Sequence, residues 1–244
     1  MCGIFGFLGN NKRSGFNLDK FNILGIYNDS RGGDSSGFYI DGIISKGVTT
    51  DRYYSNLILY NKEIDYLKKH LKEGKNVSIA LGHCRKASVG RVNLELAQPI
   101  IVLDDDGVID LVMIHNGTLI NYKELAEKYG VPYEKTWSDS QVFAQIVNFV
   151  GFQVLSEYKG AGAFVFHYPK TGDTFIFKGA SKEYHYSKEI KEERPLFCLK
   201  QNGGYYFSSI RNILELIDDN GQEVKVFSQN HLYHIKNGKI RSFK

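Results

Sequence analysis

The amino-acid sequence predicts a single α+β domain in which antiparallel sheets carry helices on their outer faces. Three observations lead to this fold class. The chain has 244 residues, which is enough for one large domain. Its predicted elements run as strands, then helices, then strands again, without the regular strand–helix alternation of a parallel sheet. The sequence has no internal repeat and no low-complexity linker that would divide the chain.

The N-terminal elements are short and separated by glycine. Residues 2–9 (CGIFGFLG) are apolar and predict a short buried strand. Residues 17–30 have helical spacing and run into the glycine-rich turn RGGDSSG at 31–37. Two short strands at 37–42 and 43–48 then form a predicted hairpin.

The middle of the chain predicts three helices and three strands. A strand is predicted over 77–85, and two more flank the DDDG turn inside 99–119. A short helix over 121–130 ends at a glycine, and an apolar helix over 138–152 begins with a Ser-Asp-Ser cap signal. Residues 56–73 predict an amphipathic helix. Its apolar face consists of Leu57, Tyr60, Ile64, Leu67 and Leu71.

The last third of the chain is predicted to be mostly strand. Residues 162–179 read as a hairpin that turns at PKTGD. The tail alternates short strands with a helix near 211–217. Those strands are predicted at 195–200, 205–209, 224–227 and 231–235.

Composition excludes several classes of protein. The net charge is +4, and its basic residues are mixed with acids and not interleaved with stacking aromatics, which argues against nucleic-acid binding. The sequence has no apolar stretch near the roughly 18 residues of a membrane span and no secretory signal, so we expect a cytoplasmic protein without membrane contact. Three widely spaced cysteines indicate neither a disulfide framework nor a zinc site, and we expect no metal or cofactor.

Five polar stretches are set in glycine-rich strand ends and helix starts. Each alone fits a turn or a helix cap. None matches a phosphate loop, a dinucleotide fingerprint or a Gly-x-Ser-x-Gly nucleophile elbow. The stretches are Cys2-Gly3, RGGDSSG (31–37), GHCRKASVG (82–90), HNG (115–117) and SDS (138–140).

Taken together and in this order, the five stretches resemble the glutaminase domain of the class II glutamine amidotransferases, which are N-terminal nucleophile hydrolases. Late in the chain, RPLF (194–197) and YYFSSIRNIL (205–214) resemble the segment where the second sheet of that domain closes. The resemblance implies a four-layer αββα sandwich with two stacked, mainly antiparallel sheets. It also implies one glutaminase domain over 1–244 with no synthase domain attached, and therefore a synthase partner on another polypeptide.

The resemblance assigns a role to each matching residue. It implies that Cys2 attacks L-glutamine and that the Asn116 side chain and the Gly117 N–H bind the oxyanion. Arg85 and Asp139 match the groups that hold the α-carboxylate and the α-ammonium, and a guanidinium and a carboxylate suit those charges. Ser88 matches a hydroxyl beside the substrate. The residues expected to support the site are Arg31, Asp34 and His83.

A cysteine at position 2 has its own chemical rationale. A free thiol has a pKa of about 8.5, so it is mostly protonated at neutral pH. Once Met1 is removed, Cys2 carries an α-amino group that titrates near 7.7–8.0, close enough to exchange a proton with the thiol. A nucleophile at the chain terminus can thus supply its own base, and no catalytic histidine is required.

The chain departs from the family pattern at four positions, which leaves two alternatives open. One is a stand-alone hydrolase of other γ-glutamyl amides, and the other is a catalytically idle copy that binds or regulates. Cys84 is expected to be a packed thiol, not a second nucleophile. The departures are Cys84 for Thr, Lys86 for an aromatic residue, Val89 where some relatives have His, and Gln141 for Glu.

Overall fold

The structure is a computed structural model that describes residues 1–10, 15–48, 62–88, 90–181, 194–201 and 203–243. The helices are α1 (Leu18–Asp29), α2 (Lys62–Lys72), α3 (Tyr122–Tyr129), α4 (Asp139–Val150), a 3-10 helix (Gly151–Ser156) and α5 (Arg211–Leu216). The strands are β1 (Gly3–Leu8), β2 (Ser35–Ile40), β3 (Ile43–Val48), β4 (Ile79–Arg85), β5 (Ile100–Leu103), β6 (Ile109–Leu119), β7 (Gly160–Tyr168), β8 (Asp173–Ala180), β9 (Phe197–Gln201), β10 (Gly204–Ser208), β11 (Lys225–Val226), β12 (His231–Lys236) and β13 (Lys239–Phe243).

These strands form two antiparallel sheets. The first sheet has the order β11-β9-β10-β1-β4-β2-β3, and the second has the order β13-β12-β8-β7-β6-β5. Apolar side chains fill the space between the sheets, among them Ile4, Leu81, Ile114, Val165 and Ile176. Burial of this shared layer drives the two sheets to stack face to face.

Helices cover the outer face of each sheet. Phe21 and Leu24 of α1 and Leu67 of α2 pack on the first sheet, where Phe5 lies. The second sheet is covered by α3 and α4 through a separate apolar cluster. The predicted αββα sandwich is therefore confirmed. In the described ranges, no helix is both long enough and apolar enough to cross a membrane.

The first strand lies in the middle of its sheet, between β10 and β4. Glycine is required at Gly6 because a Cβ there would lie 2.2 Å from the Ala80 carbonyl oxygen. The Ile4 N–H donates to Ser209 Oγ at 3.1 Å, and the Ser209 N–H donates back to the Ile4 carbonyl at 2.8 Å. These contacts fix the start of β1 and with it the position of Cys2.

Antiparallel pairing brings the conspicuous motifs to one end of the sandwich. Gly3 pairs with Cys84, so the start of β1 lies beside the end of β4. Ser35 pairs with Arg85, which places the RGGDSSG turn at the same edge. The side chain of Asp139, the first residue of α4, accepts the Leu119 N–H at 2.9 Å and ties the SDS motif to the end of β6.

Most predicted elements are present with small shifts in their ends. Residues 62–72 are helical as predicted, whereas 56–61 and the predicted contacts of Leu57 and Tyr60 lie outside the described residues. The helix predicted over 138–152 ends at Val150, because Gly151 adopts a φ of +76° and a 3-10 turn follows. The sequence did not predict β13, whose residues are mostly exposed and polar.

Candidate active site

The Cys2 thiol is half-buried against the main chain of Lys86. The Lys86 N–H donates to Cys2 Sγ at 3.3 Å, and the thiol donates to the Lys86 carbonyl at 3.4 Å. Burial raises the pKa of Cys2, while the Lys86 N–H, the N-terminal amino group and Arg85 oppose that rise. The Lys86 N–H, the terminal amino group and Arg85 thus favour the thiolate, whereas its desolvation and the negative charge of Asp139 disfavour it.

Arg31 holds the segment that precedes β1. Its Nε donates to the Cys2 carbonyl at 3.1 Å, and its Nη2 contacts Met1 Sδ at 3.4 Å. The adjacent turn packs tightly on β4, since a Cβ at Gly32 would lie 2.6 Å from the Cys84 carbonyl carbon. Arg31 therefore orients the main chain of Cys2.

Asp34 connects the RGGDSSG turn to the loop that follows β4. Its carboxylate accepts the Ala87 N–H at 2.8 Å and the Lys86 Nζ at 3.2 Å. Partial burial acts to raise the pKa of Asp34, but these two donors outweigh it and lower the pKa below its usual value. The charge of Asp34 therefore helps to hold the loop whose main chain touches Cys2.

Replacing Asp34 with Asn is expected to lower the free energy of unfolding at pH 7 by about 0.5–1 kcal/mol, since the lost charge lies near screening solvent. A lowered folded-state pKa means that this stability is present above the unfolded-state pKa and is lost as the pH falls through the folded-state pKa. The difference from wild type should therefore shrink as the pH falls below the unfolded-state pKa, as measured by urea denaturation at pH 7 and pH 3.

The matched control for this prediction is Asp106→Asn, because Asp106 is exposed in the turn between β5 and β6. We expect the control to match wild type at both pH values. A loss of stability in Asp34→Asn that is the same at pH 3 and pH 7 would contradict the proposed role of the charge.

Arg85 and Asp139 form a buried pair of opposite charges that faces Cys2. Both residues are 4% exposed, and each interacts electrostatically with the other and with the Cys2 sulfur. Arg85 Nη1 also donates to the Arg91 carbonyl at 2.9 Å. Burial lowers the pKa of Arg85 and raises that of Asp139, and each charge offsets the shift of the other. Such a pair suits a zwitterionic ligand.

Asn116 lies near the start of β1 although it belongs to the other sheet. Its Nδ2 is 3.5 Å from Ser209 Oγ, the same oxygen that accepts the Ile4 N–H. At Gly117 a Cβ would lie 2.2 Å from the Ala161 carbonyl oxygen, so no larger residue fits without displacing β7. Asn116 is buried and Gly117 is half-buried.

His83 is buried and has a structural contact. Its Nε2 donates to the His115 carbonyl at 3.0 Å and so links the two sheets. Burial lowers the pKa of His83 to about 3, which keeps the ring neutral at physiological pH. Cys84 is likewise fully buried with a raised pKa, as suits a packed thiol, whereas Ser88 is exposed on the loop.

Three polar residues at this end of the sandwich were not singled out by the sequence. Ser209 bridges the sheets, Ser140 lies against Asp139, and His115 contacts Ser140. The last two belong to conspicuous motifs, SDS and HNG, but spacing alone cannot show that those motifs meet in space. Their contact depends on the pairing of α4 with β6.

The αββα sandwich, with Cys2 directly before the central strand β1, is the fold of the N-terminal nucleophile hydrolases. A sequence profile described as "Glutamine amidotransferase domain" matches residues 68–237. The chain belongs to the class II glutamine amidotransferases.

Curated relatives have longer chains. The chain is 32% identical over 160 residues to a putative glutamine-hydrolysing asparagine synthetase 2 from Methanocaldococcus jannaschii. The matched region covers 61% of this chain and 29% of the relative. It is 31% identical over 150 residues to a glutamine–fructose-6-phosphate aminotransferase from Methanosarcina mazei. That matched region covers 61% of this chain and 22% of the relative. The matched region is thus less than a third of either relative.

Solved structures share the fold over the whole chain. The allosteric regulatory enzyme of purine biosynthesis superimposes with a TM-score of 0.70 at 18% identity, covering 100% of this chain and 49% of that one. Glutamine phosphoribosylpyrophosphate amidotransferase from B. subtilis gives a TM-score of 0.64 at 18% identity with the same coverage. At this identity the likeness establishes the fold alone.

Proposed function

We propose that this chain hydrolyses L-glutamine to glutamate and ammonia through a γ-glutamyl thioester on Cys2. The observation that carries the proposal is the placement of the Cys2 sulfur beside the buried Arg85–Asp139 pair. A free amino acid has a carboxylate and an ammonium at one end, and the pair offers a partner for each. The side-chain amide of the same molecule would then lie toward the sulfur.

The nucleophile requires that Met1 be removed. In the structure the N-terminal amino group already lowers the pKa of Cys2 from one residue away. Hydrolysis of the Met1–Cys2 peptide bond would release Met1 and turn the backbone nitrogen of Cys2 into a free α-amino group, which can accept the thiol proton directly or through water. Arg31 would continue to hold the Cys2 carbonyl, so the new terminus would stay in place.

The reaction then proceeds in two steps, acylation of Cys2 and hydrolysis of the thioester. The thiolate attacks the amide carbon, the C–N bond breaks, and the leaving nitrogen takes the proton held by the α-amino group and departs as ammonia. Water, deprotonated by the same amine, attacks the thioester and releases glutamate and the thiol. Asn116 Nδ2 and the Gly117 N–H would stabilise the oxyanion of each tetrahedral intermediate, and such donors contribute several kcal/mol to catalysis.

The ammonia is proposed to pass to a synthase. The relatives are named as a glutamine-hydrolysing asparagine synthetase and a glutamine–fructose-6-phosphate aminotransferase, and they extend well beyond the matched region. A synthase partner or further domain would consume the ammonia here. Affinity purification of the tagged chain from native extract that recovers no synthase-like protein would count against a separate partner subunit.

One observation favours a second substrate class. Lys86 borders the sulfur, and its Nζ is bound to Asp34, so this loop presents an ammonium where the family pattern has an aromatic ring. Other γ-glutamyl amides would meet that loop with their amide substituent. Comparing kcat/KM for glutamine with kcat/KM for a panel of γ-glutamyl amides separates the two substrate classes.

Labelling with a diazoketone analogue of glutamine tests the proposed function directly. We expect one covalent adduct, on a peptide that begins with Cys2, because the analogue needs both amino-acid recognition and a reactive thiolate. Mass spectrometry of the digested protein gives the site and shows whether Met1 is gone. Excess glutamine should protect the thiol. A label on Cys84 or Cys198, or a labelled peptide that retains Met1, would contradict the mechanism.

A further inference from the structure

We propose that Ser140 and His115, neither of which is assigned a contact with substrate, position the Asp139 carboxylate for the α-ammonium of the substrate. This inference rests on the proposed function, because it assumes that Asp139 receives an ammonium group. It adds two positioning residues to that site. The three side chains form one buried chain of contacts that runs from β6 to the first turn of α4.

Two contacts set the geometry of this series of side chains. His115 Nδ1 lies 2.8 Å from Ser140 Oγ. Ser140 Oγ lies 3.4 Å from Asp139 Oδ1, a long contact for an O–H···O bond, while Asp139 Oδ2 accepts the Leu119 N–H at 2.9 Å. All three side chains are at most 5% exposed. The carboxylate is therefore held through both oxygens by groups of the protein.

The direction of each hydrogen bond follows from chemistry. An ionised carboxylate can only accept, so the Ser140 hydroxyl donates to Asp139. The Ser140 oxygen then accepts from His115 Nδ1, and the imidazole is the Nδ1-protonated tautomer. Burial lowers the pKa of His115 to about 3, so the ring is neutral at pH 7. Its Nε2 has no hydrogen-bond partner among the described residues, which costs less for a lone pair than for a buried N–H.

The imidazole is fixed on every side that the structure describes. It stacks on Phe164 with a centroid distance of 4.1 Å and an interplanar angle of 3°. Its Nε2 would lie 2.6 Å from a Cβ at Gly117 and 2.8 Å from one at Gly162, so both glycines make room for it. The backbone N–H of His115 donates to Gln98 Oε1 at 2.6 Å. A ring held this firmly can orient the serine that it binds.

Ser140→Ala tests the inference, with two substrates for the mature enzyme. We expect KM for L-glutamine to rise about fivefold with kcat nearly unchanged, the size expected for one hydrogen bond. For glutaric acid monoamide, which lacks the α-ammonium, KM should stay at the wild-type value. Ser140→Thr keeps a hydroxyl and should restore most of the affinity for glutamine.

Ser138→Ala is the matched control. Ser138 caps the same helix by accepting the Gln141 N–H at 3.2 Å, and it has no described contact with Asp139. This control should lower the melting temperature without any change in KM that is specific to glutamine. An equal rise in KM for both substrates in Ser140→Ala, or no rise for either, would overturn the inference and leave the proposed function standing. Failure of the wild-type enzyme to hydrolyse either amide would instead refute the proposed function, and the inference with it.

A second measurement does not depend on the folding of a variant. Long-range ¹H–¹⁵N correlation spectra of the wild-type protein at pH 7 report the tautomer of each neutral histidine. We expect His115 to be protonated at Nδ1 and His83 to be protonated at Nε2, where it donates to the His115 carbonyl. His83 thus serves as an internal reference of the opposite tautomer. An Nε2-protonated His115 would reverse the hydrogen bond to Ser140 and overturn the inference.

Discussion

Replacing Cys2 with Ala is expected to reduce glutamine hydrolysis at least about a thousandfold, because loss of a nucleophile removes the covalent route altogether. The Cys2 sulfur, which we propose as the nucleophile, interacts electrostatically with both Arg85 and Asp139. The measurement is ammonia release from glutamine in a coupled assay, with correct folding checked by the thermal unfolding midpoint. We expect the midpoint to change little, since Cys2 precedes β1 and is only half-buried.

Cys198→Ala is the matched control, because burial raises the pKa of this thiol to about 11 and keeps it protonated. Its activity should stay near that of wild type. Cys84 is a poorer control, since it is fully buried in the apolar layer beneath α1 and its loss would leave a cavity. Wild-type ammonia release from the Cys2→Ala protein would reject the thioester mechanism. An unchanged biological effect of a Cys2→Ala protein that releases no ammonia would favour an idle, binding role for the site.

Replacing Asn116 with Ala is expected to lower kcat by about 10²–10³, with little change in KM for glutamine. The reason is that an oxyanion-hole donor acts on charge that develops only in the transition state. The side chain is 1% exposed, and its one described hydrogen bond, to Ser209 Oγ, is long at 3.5 Å. One N–H of the amide can therefore serve the substrate. Steady-state kinetics with glutamine separates kcat from KM.

Asn121→Ala is the control for the loss of a buried asparagine. Asn121 lies just beyond β6, donates to the Glu157 carbonyl at 3.0 Å and accepts the Lys159 N–H at 2.7 Å. Its replacement should cost stability but leave kcat within a few-fold of wild type. If Asn116→Ala raised KM and left kcat unchanged, Asn116 would bind the ground state, and its assignment to the oxyanion hole would be wrong.

The local sequence predicts most of the elements because their signals are themselves local. Ser138 caps α4 as the Ser-Asp-Ser signal predicts, and Gln141 completes a capping box with it. Helix α3 ends at Gly130, as predicted, and this glycine adopts the left-handed conformation. The missed strand β13 has five residues with little apolar character, and it exists because it pairs with β12. A pattern of hydrophobicity cannot report pairing that is driven by the neighbouring strand.

The candidate site is predictable from the sequence only as a set of motifs. The resemblance proposes which residues take part, but the geometry adds contacts that spacing does not contain. Asp34 is one example, since its carboxylate holds the Lys86–Ala87 loop across 53 positions of sequence. His83 is another, since its ring joins the two sheets and, being neutral, has no charge to offer the site.

The sequence by itself determined the order of strands and helices, the position of Cys2 directly after Met1 and the five polar motifs. These follow from periodicity, turn chemistry and residue identity, which are properties of neighbouring residues. Only the tertiary structure decided that Arg85 and Asp139 face the same sulfur, and that His115 reaches Asp139 through Ser140. Those contacts arise from antiparallel pairing and from the stacking of two sheets, and both depend on apolar burial over the whole chain.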